Sequence, residues 1–232
     1  MIGILGGMGP RATVQFQKLL LDMCTGGDQN LPAFLCINDG SIPDRTAYLM
    51  RGGADPLPAM SRRASMLEQA GASIICVPCN TAQTPELHRR LAETVSVPLI
   101  HMPTLVVEEI KGQKVRRVLL LATEGTVKSG MYQQLCERQG ISCAMPSENM
   151  QRLVSDLIQA VKTNNESAKQ YASRVLRGYI ATLQVEGVIL GCTELPLVAK
   201  DLEVEDVTQF DSLAILARAC IRFDKEMKGA VQ

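Results

Sequence analysis

SIICVPCNTAQ, Ser73 to Gln83, is an apolar run that stops at a proline and delivers a cysteine, Cys79, to a polar turn. A short apolar run bounded by turn residues is the mark of a strand buried on both faces. GVILGCTELP, Gly187 to Pro196, has the same form and sets Cys192 in the same relation to its own strand. About seventy residues before each cysteine stands another strand with a glycine turn, IGILGGMG from Ile2 and VLLLATEG from Val118, an echo on a scale far beyond a solenoid repeat. Two similar α/β halves account for both echoes.

The rest of the chain fits that division. Strands are expected at Ile2–Leu5, Ala33–Asn38, Ser73–Pro78, Pro98–His101, Val115–Ala122, Ser142–Met145 and Gly187–Leu190, with a further strand-like DVTQF before the last helix. Amphipathic stretches lie between them, at Arg11–Cys24, Pro56–Ala70, Pro85–Thr94, Thr104–Gly112, Val127–Gln139, Glu148–Thr163, Glu166–Leu183 and Ser212–Met227. This alternation predicts an α/β fold with mainly parallel sheets. IHMPT marks the crossing into the second half, and FDSLAILARACIRF has an apolar face that the first half can bury. The expected domains are therefore 1–103 with 211–232, carrying Cys79, and 104–210, carrying Cys192. Ligands of parallel sheets sit outside the carboxyl ends of the strands, where both cysteines fall, so the active site is expected between the two domains.

Composition narrows the function. The 232 residues suffice for two small domains or one large one. Lys and Arg together number 24 and so do Asp and Glu, which disfavours a surface that tracks nucleic-acid phosphates. Aromatics are 3% and Trp is absent, so base stacking is disfavoured too. No tract of about 18 apolar residues is present, and no membrane association is expected. MIGILGGMGP lacks the charged start of a signal peptide, and the expected location is the cytoplasm. Of the eight cysteines, Cys24, Cys36, Cys136, Cys143 and Cys220 read as small buried hydrophobes of a reducing compartment.

Several familiar chemistries fail on their spacing. Gly7, Gly9 and Ala12 match a dinucleotide fingerprint, but Asp39 lies too far along and Pro10 removes an N–H from the turn. A tight turn whose remaining N–H groups hold a carboxylate fits better. CVPC, Cys76 to Cys79, matches a redox centre, but Cys76 falls inside the strand and reads as structural. His88 and His101 are the only histidines and there is no second C-x-x-C, so no metal site is expected. G-x-S-x-G does not occur, and His88, on the charged stretch PELHRRL, reads as a surface residue.

The two loop thiols remain. A cysteine just after a strand lies near the N–H groups of the following turn, which favour the thiolate over the ordinary pKa of about 8.5. One such cysteine suggests a nucleophile. Two in equivalent places suggest removal of a proton from one face of a carbon and its return to the other.

In these residues the chain resembles the aspartate/glutamate racemase family, specifically its aspartate racemase branch. The resemblance runs through GILGGMGP (Gly3–Pro10), IPDRTAYL (Ile42–Leu49), PCNTA (Pro78–Ala82), LATEGT (Leu121–Thr126) and GCTELP (Gly191–Pro196), in order along nearly the whole chain. Glutamate racemases differ in the opening loop and carry histidine where Glu194 stands. The resemblance implies a racemase with no cofactor and no metal, acting on an amino acid by a two-base mechanism. It also implies two pseudo-symmetric flavodoxin-like three-layer domains and a homodimer. Cys79 and Cys192 match the catalytic pair, Arg45 the contact for the substrate side-chain carboxylate, and Lys162 a second cationic contact. Asn80, Thr81, Thr123, Thr126 and Thr193 match the polar cradle, with Met8 and Glu194 completing the substrate-binding set. Gln83 departs from the histidine common after CNTA. Aspartate, glutamate or broader specificity stay open, as do hydantoin racemisation, decarboxylation, a catalytically silent dicarboxylate-binding relative and a redox protein.

Overall fold

A computed structural model describes residues 1–25 and 27–229. The chain divides into two compact units, Met1–Met102 joined by the chain from Leu213 onward, and Pro103–Ser212.

The first unit is built on a parallel sheet of β1 (Ile2–Gly6), β2 (Phe34–Asn38) and β3 (Ile74–Cys76), in the order β2-β1-β3. β1 is buried along its whole length, as a central parallel strand covered on both faces must be. Pro98–His101, expected as a strand, supplies one parallel bridge, Ile75 to Leu99. Ile75 N–H donates to Pro98 O and Ile100 N–H to Ile75 O, each at 2.9 Å, and Pro98, lacking an N–H, cannot extend the ladder. Around the sheet lie α1 (Pro10–Asp22), α2 (Arg45–Arg51), α3 (Leu57–Gln69) and α4 (Pro85–Ala92).

In the second unit α5 (Met102–Gly112) starts at the crossing and leads to β4 (Arg117–Ala122), α6 (Glu124–Lys128), α7 (Met131–Arg138) and β5 (Ser142–Ala144). α8 (Glu148–Thr163), α9 (Glu166–Ala181), β6 (Gly187–Gly191) and β7 (Thr208–Asp211) come next, and the parallel sheet runs β5-β4-β6-β7. The stretch expected as one helix over Val127–Gln139 is two, because Gly130 turns left-handed at φ 68° between them. Val154, Leu157, Ile158 and Val161 of α8 recur at helical spacing and pack with Ala172, Leu176 and Ile180 of α9 and with Leu119, Leu121, Val188 and Leu190 of the sheet.

α10 (Ser212–Gly229) begins at the return crossing and buries Leu213, Leu216, Ala217 and Cys220. Cys220 lies beside Cys76; burial, and then Cys220, push the Cys76 thiol well above its ordinary pKa. All eight cysteines are free, and Cys76 fills the core as the sequence suggested.

In each sheet the first strand is flanked by the second and the third, the order of flavodoxin-like folds. Chain direction around the sheet reverses between β1 and β3, and again between β4 and β6. Crevices open at the carboxyl ends of such strand pairs.

Candidate active site

The switch point of the first unit is formed where β1 and β3 end. Gly7 comes directly after β1 with φ 91°, and a Cβ there would fall 2.2 Å from the backbone of Asp39, so the turn requires glycine. Its N–H donates to Thr13 Oγ1 at 2.9 Å, which leaves the expected anion-holding turn one donor fewer. Asp39, the residue nearest a dinucleotide acid, is held by Arg63 of α3 through Nε at 2.6 Å and Nη2. Hydrogen bonds from the hydroxyl and N–H of Ser41, with Arg63, lower its pKa to about 2.

Past β3, Cys79 N–H donates back to Val77 O at 2.8 Å, and a 3₁₀ turn over Thr81–Gln83 succeeds it. Everything from Val77 to Thr84 is buried; Cys79 is 5% exposed and shares a cluster with Met8 and Ile42. Arg45 opens α2, whose start is fixed by Asp44 accepting from Ala47 N–H at 2.6 Å and whose end is a left-handed Gly52. Its side chain is 8% exposed. Nη1 donates to Ile42 O at 3.3 Å and Pro43 O at 3.0 Å, and Nη2 to Met8 O at 3.2 Å. Nε is buried without an acceptor, and among the described residues no carboxylate pairs with the guanidinium. Met8, Arg45, Cys79, Asn80 and Thr81 thus gather at this end of the first unit.

Gln83 is buried beneath the Cys79 turn. Its Nε2 donates to Val77 O at 2.5 Å, and its Oε1 accepts from Met102 N–H at 2.8 Å. One amide therefore joins the carbonyl that closes the Cys79 turn to the residue at the domain crossing. Gln83→Leu would orphan the Met102 N–H and leave Val77 O with the Cys79 N–H alone, at about 1–3 kcal/mol for the unpaired buried donor. A fall of about 1–3 kcal/mol in urea unfolding is expected, and an unchanged midpoint would show that the two bonds carry no weight.

His88 is not the surface residue its sequence suggests. It is half-buried with its ring edge-on to His101, centroids 4.5 Å apart, and His101 Nε2 bonds to Gln83 O at 3.0 Å. Burial, then the charge of a protonated His101, lowers its pKa from 6.5 to about 4. The unfolded chain therefore takes up the proton first on acidification. Stability from this site is complete above about pH 6.5 and is lost as pH falls toward 4. The difference in urea midpoint between pH 7.5 and 4.5 is expected to shrink in His88→Gln; the same difference in both proteins would contradict this.

In the second unit β4 and β6 pair through Ala122 and Gly191, so the next residues along, Thr123 and Cys192, leave adjacent strand ends. Thr123 caps α6, accepting from Thr126 N–H at 3.3 Å and donating to Thr126 Oγ1 at 3.0 Å. Cys192 is 5% exposed and its thiol donates to Glu194 Oε2 at 3.0 Å; Thr193 Oγ1 donates to the same oxygen at 3.5 Å. Lys162, exposed in the last turn of α8, acts on Cys192 through its charge.

The expectation of a thiolate favoured by turn donors fails at Cys192. Glu194 N–H and Lys162 do lower the thiol pKa, but burial first and the Glu194 charge second raise it well above the ordinary value. The next element is a 3₁₀ helix over Leu195–Leu202 broken at Val198, which lacks the aligned dipoles of an α-helix.

A family model described as Asp/Glu/Hydantoin racemase matches residues 5–220. The chain belongs to that family. It is 30% identical in sequence to the aspartate racemase of Picrophilus torridus, with a TM-score of 0.85 over 97% of this chain and 94% of that one. It is 28% identical to the broad specificity amino-acid racemase RacX of Bacillus subtilis strain 168, over 95% of this chain and 96% of the relative. A glutamate racemase of Francisella tularensis in complex with D-glutamate, 18% identical over 98% of this chain and 81% of that one, shares the fold at a TM-score of 0.72. The protein is an isomerase of the Asp/Glu racemase family, and no helix among its described residues is long and apolar enough to cross a membrane.

Proposed function

We propose that the protein racemises an acidic amino acid, aspartate foremost, without a cofactor, using Cys79 and Cys192 as the two bases. The observation that carries this reading is the equivalence of the two thiols. Each is delivered by the third strand of its sheet to a switch-point crevice, and each is nearly buried.

The Cα–H of an amino acid is a very weak acid, so a thiolate removes it only where the developing enolate charge is met by donors already in place. In a site closed to water each such donor is worth about 3 kcal/mol. Asn80, Thr81 and Thr126, with turn N–H groups, supply them, joined by Thr123 and Thr193 once their hydroxyls turn from Thr126 and Glu194. One sulfur takes the proton, the other gives its own to the opposite face, and the roles exchange for the other enantiomer.

Arg45 supports a dicarboxylic substrate. Of its five N–H donors, those of Nη1 go to Ile42 and Pro43 and one of Nη2 goes to Met8. Nε–H has no acceptor and Nη2 keeps a second N–H, so the guanidinium retains donors for a carboxylate.

The test is chiral analysis of each enantiomer of aspartate, glutamate, alanine and lysine incubated with the protein. Aspartate racemising fastest supports the proposal. Equal rates for acidic, neutral and basic amino acids would favour the breadth named for the Bacillus relative, and racemisation of none would overturn it.

A further inference from the structure

The two thiols sit in equivalent places but do not have equivalent neighbours. Two residues beyond Cys192 stands the carboxylate of Glu194; two beyond Cys79 stands the hydroxyl of Thr81. The Cys192 thiol donates to Glu194 Oε2 at 3.0 Å, and Glu194 is 3% exposed. An ionised carboxylate only accepts, so this bond lasts only while the sulfur keeps its proton. A thiolate at position 192 would instead confront a like charge where water cannot screen it. Lys162 of α8 is the opposing cation, but it is exposed and its influence is screened. Burial, followed by the Glu194 charge, accordingly raises the Cys192 pKa well above that of an ordinary thiol.

We propose that Glu194 is an acid–base partner of Cys192 rather than a contact for the substrate, and that it holds a proton on this sulfur in the free enzyme. What that asymmetry does rests on the two-thiol reading above. In the half-reaction that the resting state favours, Cys79 takes the Cα proton and the Cys192 S–H bond breaks to supply the other face. The electron pair left on sulfur makes a thiolate beside Glu194. Their repulsion drives the reset, in which Cys192 takes a proton from water and Cys79 releases one to it.

Alkylation by iodoacetamide, followed on the separate Cys79 and Cys192 peptides across pH 6 to 11, tests the proposal. In the unaltered protein the Cys192 rate is expected to rise with a midpoint above pH 9; a midpoint at or below about 8.5, that of an unperturbed thiol, would overturn it. In Glu194→Gln the Cys192 rate at pH 8 is expected to rise about threefold or more, since each unit of pKa lowering is worth about tenfold there. The Cys79 rate is expected not to change. An unchanged or slower Cys192 rate would assign Glu194 elsewhere, and the profile of the unaltered protein decides the matter should the variant not fold. Alkylation needs no turnover, so failure to racemise any amino acid would leave this result standing. Equivalent thiols in a working racemase would sink this proposal alone.

Discussion

Alanine at position 79 or at position 192 is expected to lower racemisation about 10²–10⁴-fold, the range that a positioned acid or base contributes. In the proposed mechanism neither thiol can stand in for the other, because each serves one face of Cα. The two variants should differ in what they retain. With Cys192 replaced, Cys79 can still take a proton from one enantiomer and return one to the same face. In deuterated water that enantiomer exchanges its Cα–H without inverting. The complementary variant should exchange the other enantiomer. Proton NMR of the pure enantiomers reads both behaviours in one set of spectra. More than a tenth of the original activity in either variant would contradict the assignment, since water alone cannot deliver a proton to one face at that rate.

Arg45→Ala is expected to raise KM for aspartate about 100-fold, as loss of a charge-assisted two-bond contact worth roughly 2–3 kcal/mol requires. The side chain also holds the carbonyls of Met8, Ile42 and Pro43, so a drop in thermal stability will accompany the change. Arg45→Lys separates the two effects. It keeps the positive charge but not the planar fork, and should leave KM nearly as high. For any neutral amino acid that the enzyme accepts, KM is expected to move little. A rise of the same size for acidic and neutral substrates would mean that Arg45 only supports the Met8 loop.

The strand ends that lead to the two cysteines were legible because a doubly covered parallel strand must be apolar throughout, and it stops where polar residues begin. That contrast is sharp at Cys76–Cys79 and at Gly191–Thr193. α2 was not legible as a helix, being seven residues and too short for its periodicity to register. Its signals were local ones, Asp44 at the cap and Gly52 at the end. The break at Gly130 is of the same kind: one glycine within an otherwise helical pattern, decided by backbone conformation.

Side-chain partnerships were harder still. Residues two apart in a strand share a face, but beyond a strand end nothing in the spacing tells whether Cys192 and Glu194 touch. Their 3.0 Å contact inverts the thiolate expectation for that cysteine. Gln83 was visible only as a departure from histidine; its bonds to Val77 and Met102 depend on how the chain comes back after the bridge at Leu99. His88 looked exposed because its neighbours Glu86, Arg89 and Arg90 are charged, whereas the partner that covers it, His101, is remote in sequence.

Deuterium accounting during early turnover in deuterated water tests the two-thiol chemistry most directly. A monoprotic thiol that accepts the substrate proton does not give it to the product, because the product's hydrogen comes from the opposite sulfur, already exchanged with solvent. The amino acid racemised fastest should therefore yield product fully deuterated at Cα while the recovered substrate is still protiated. Protium carried into the product, or deuterium entering substrate and product at equal rates, would mean that one base serves both faces.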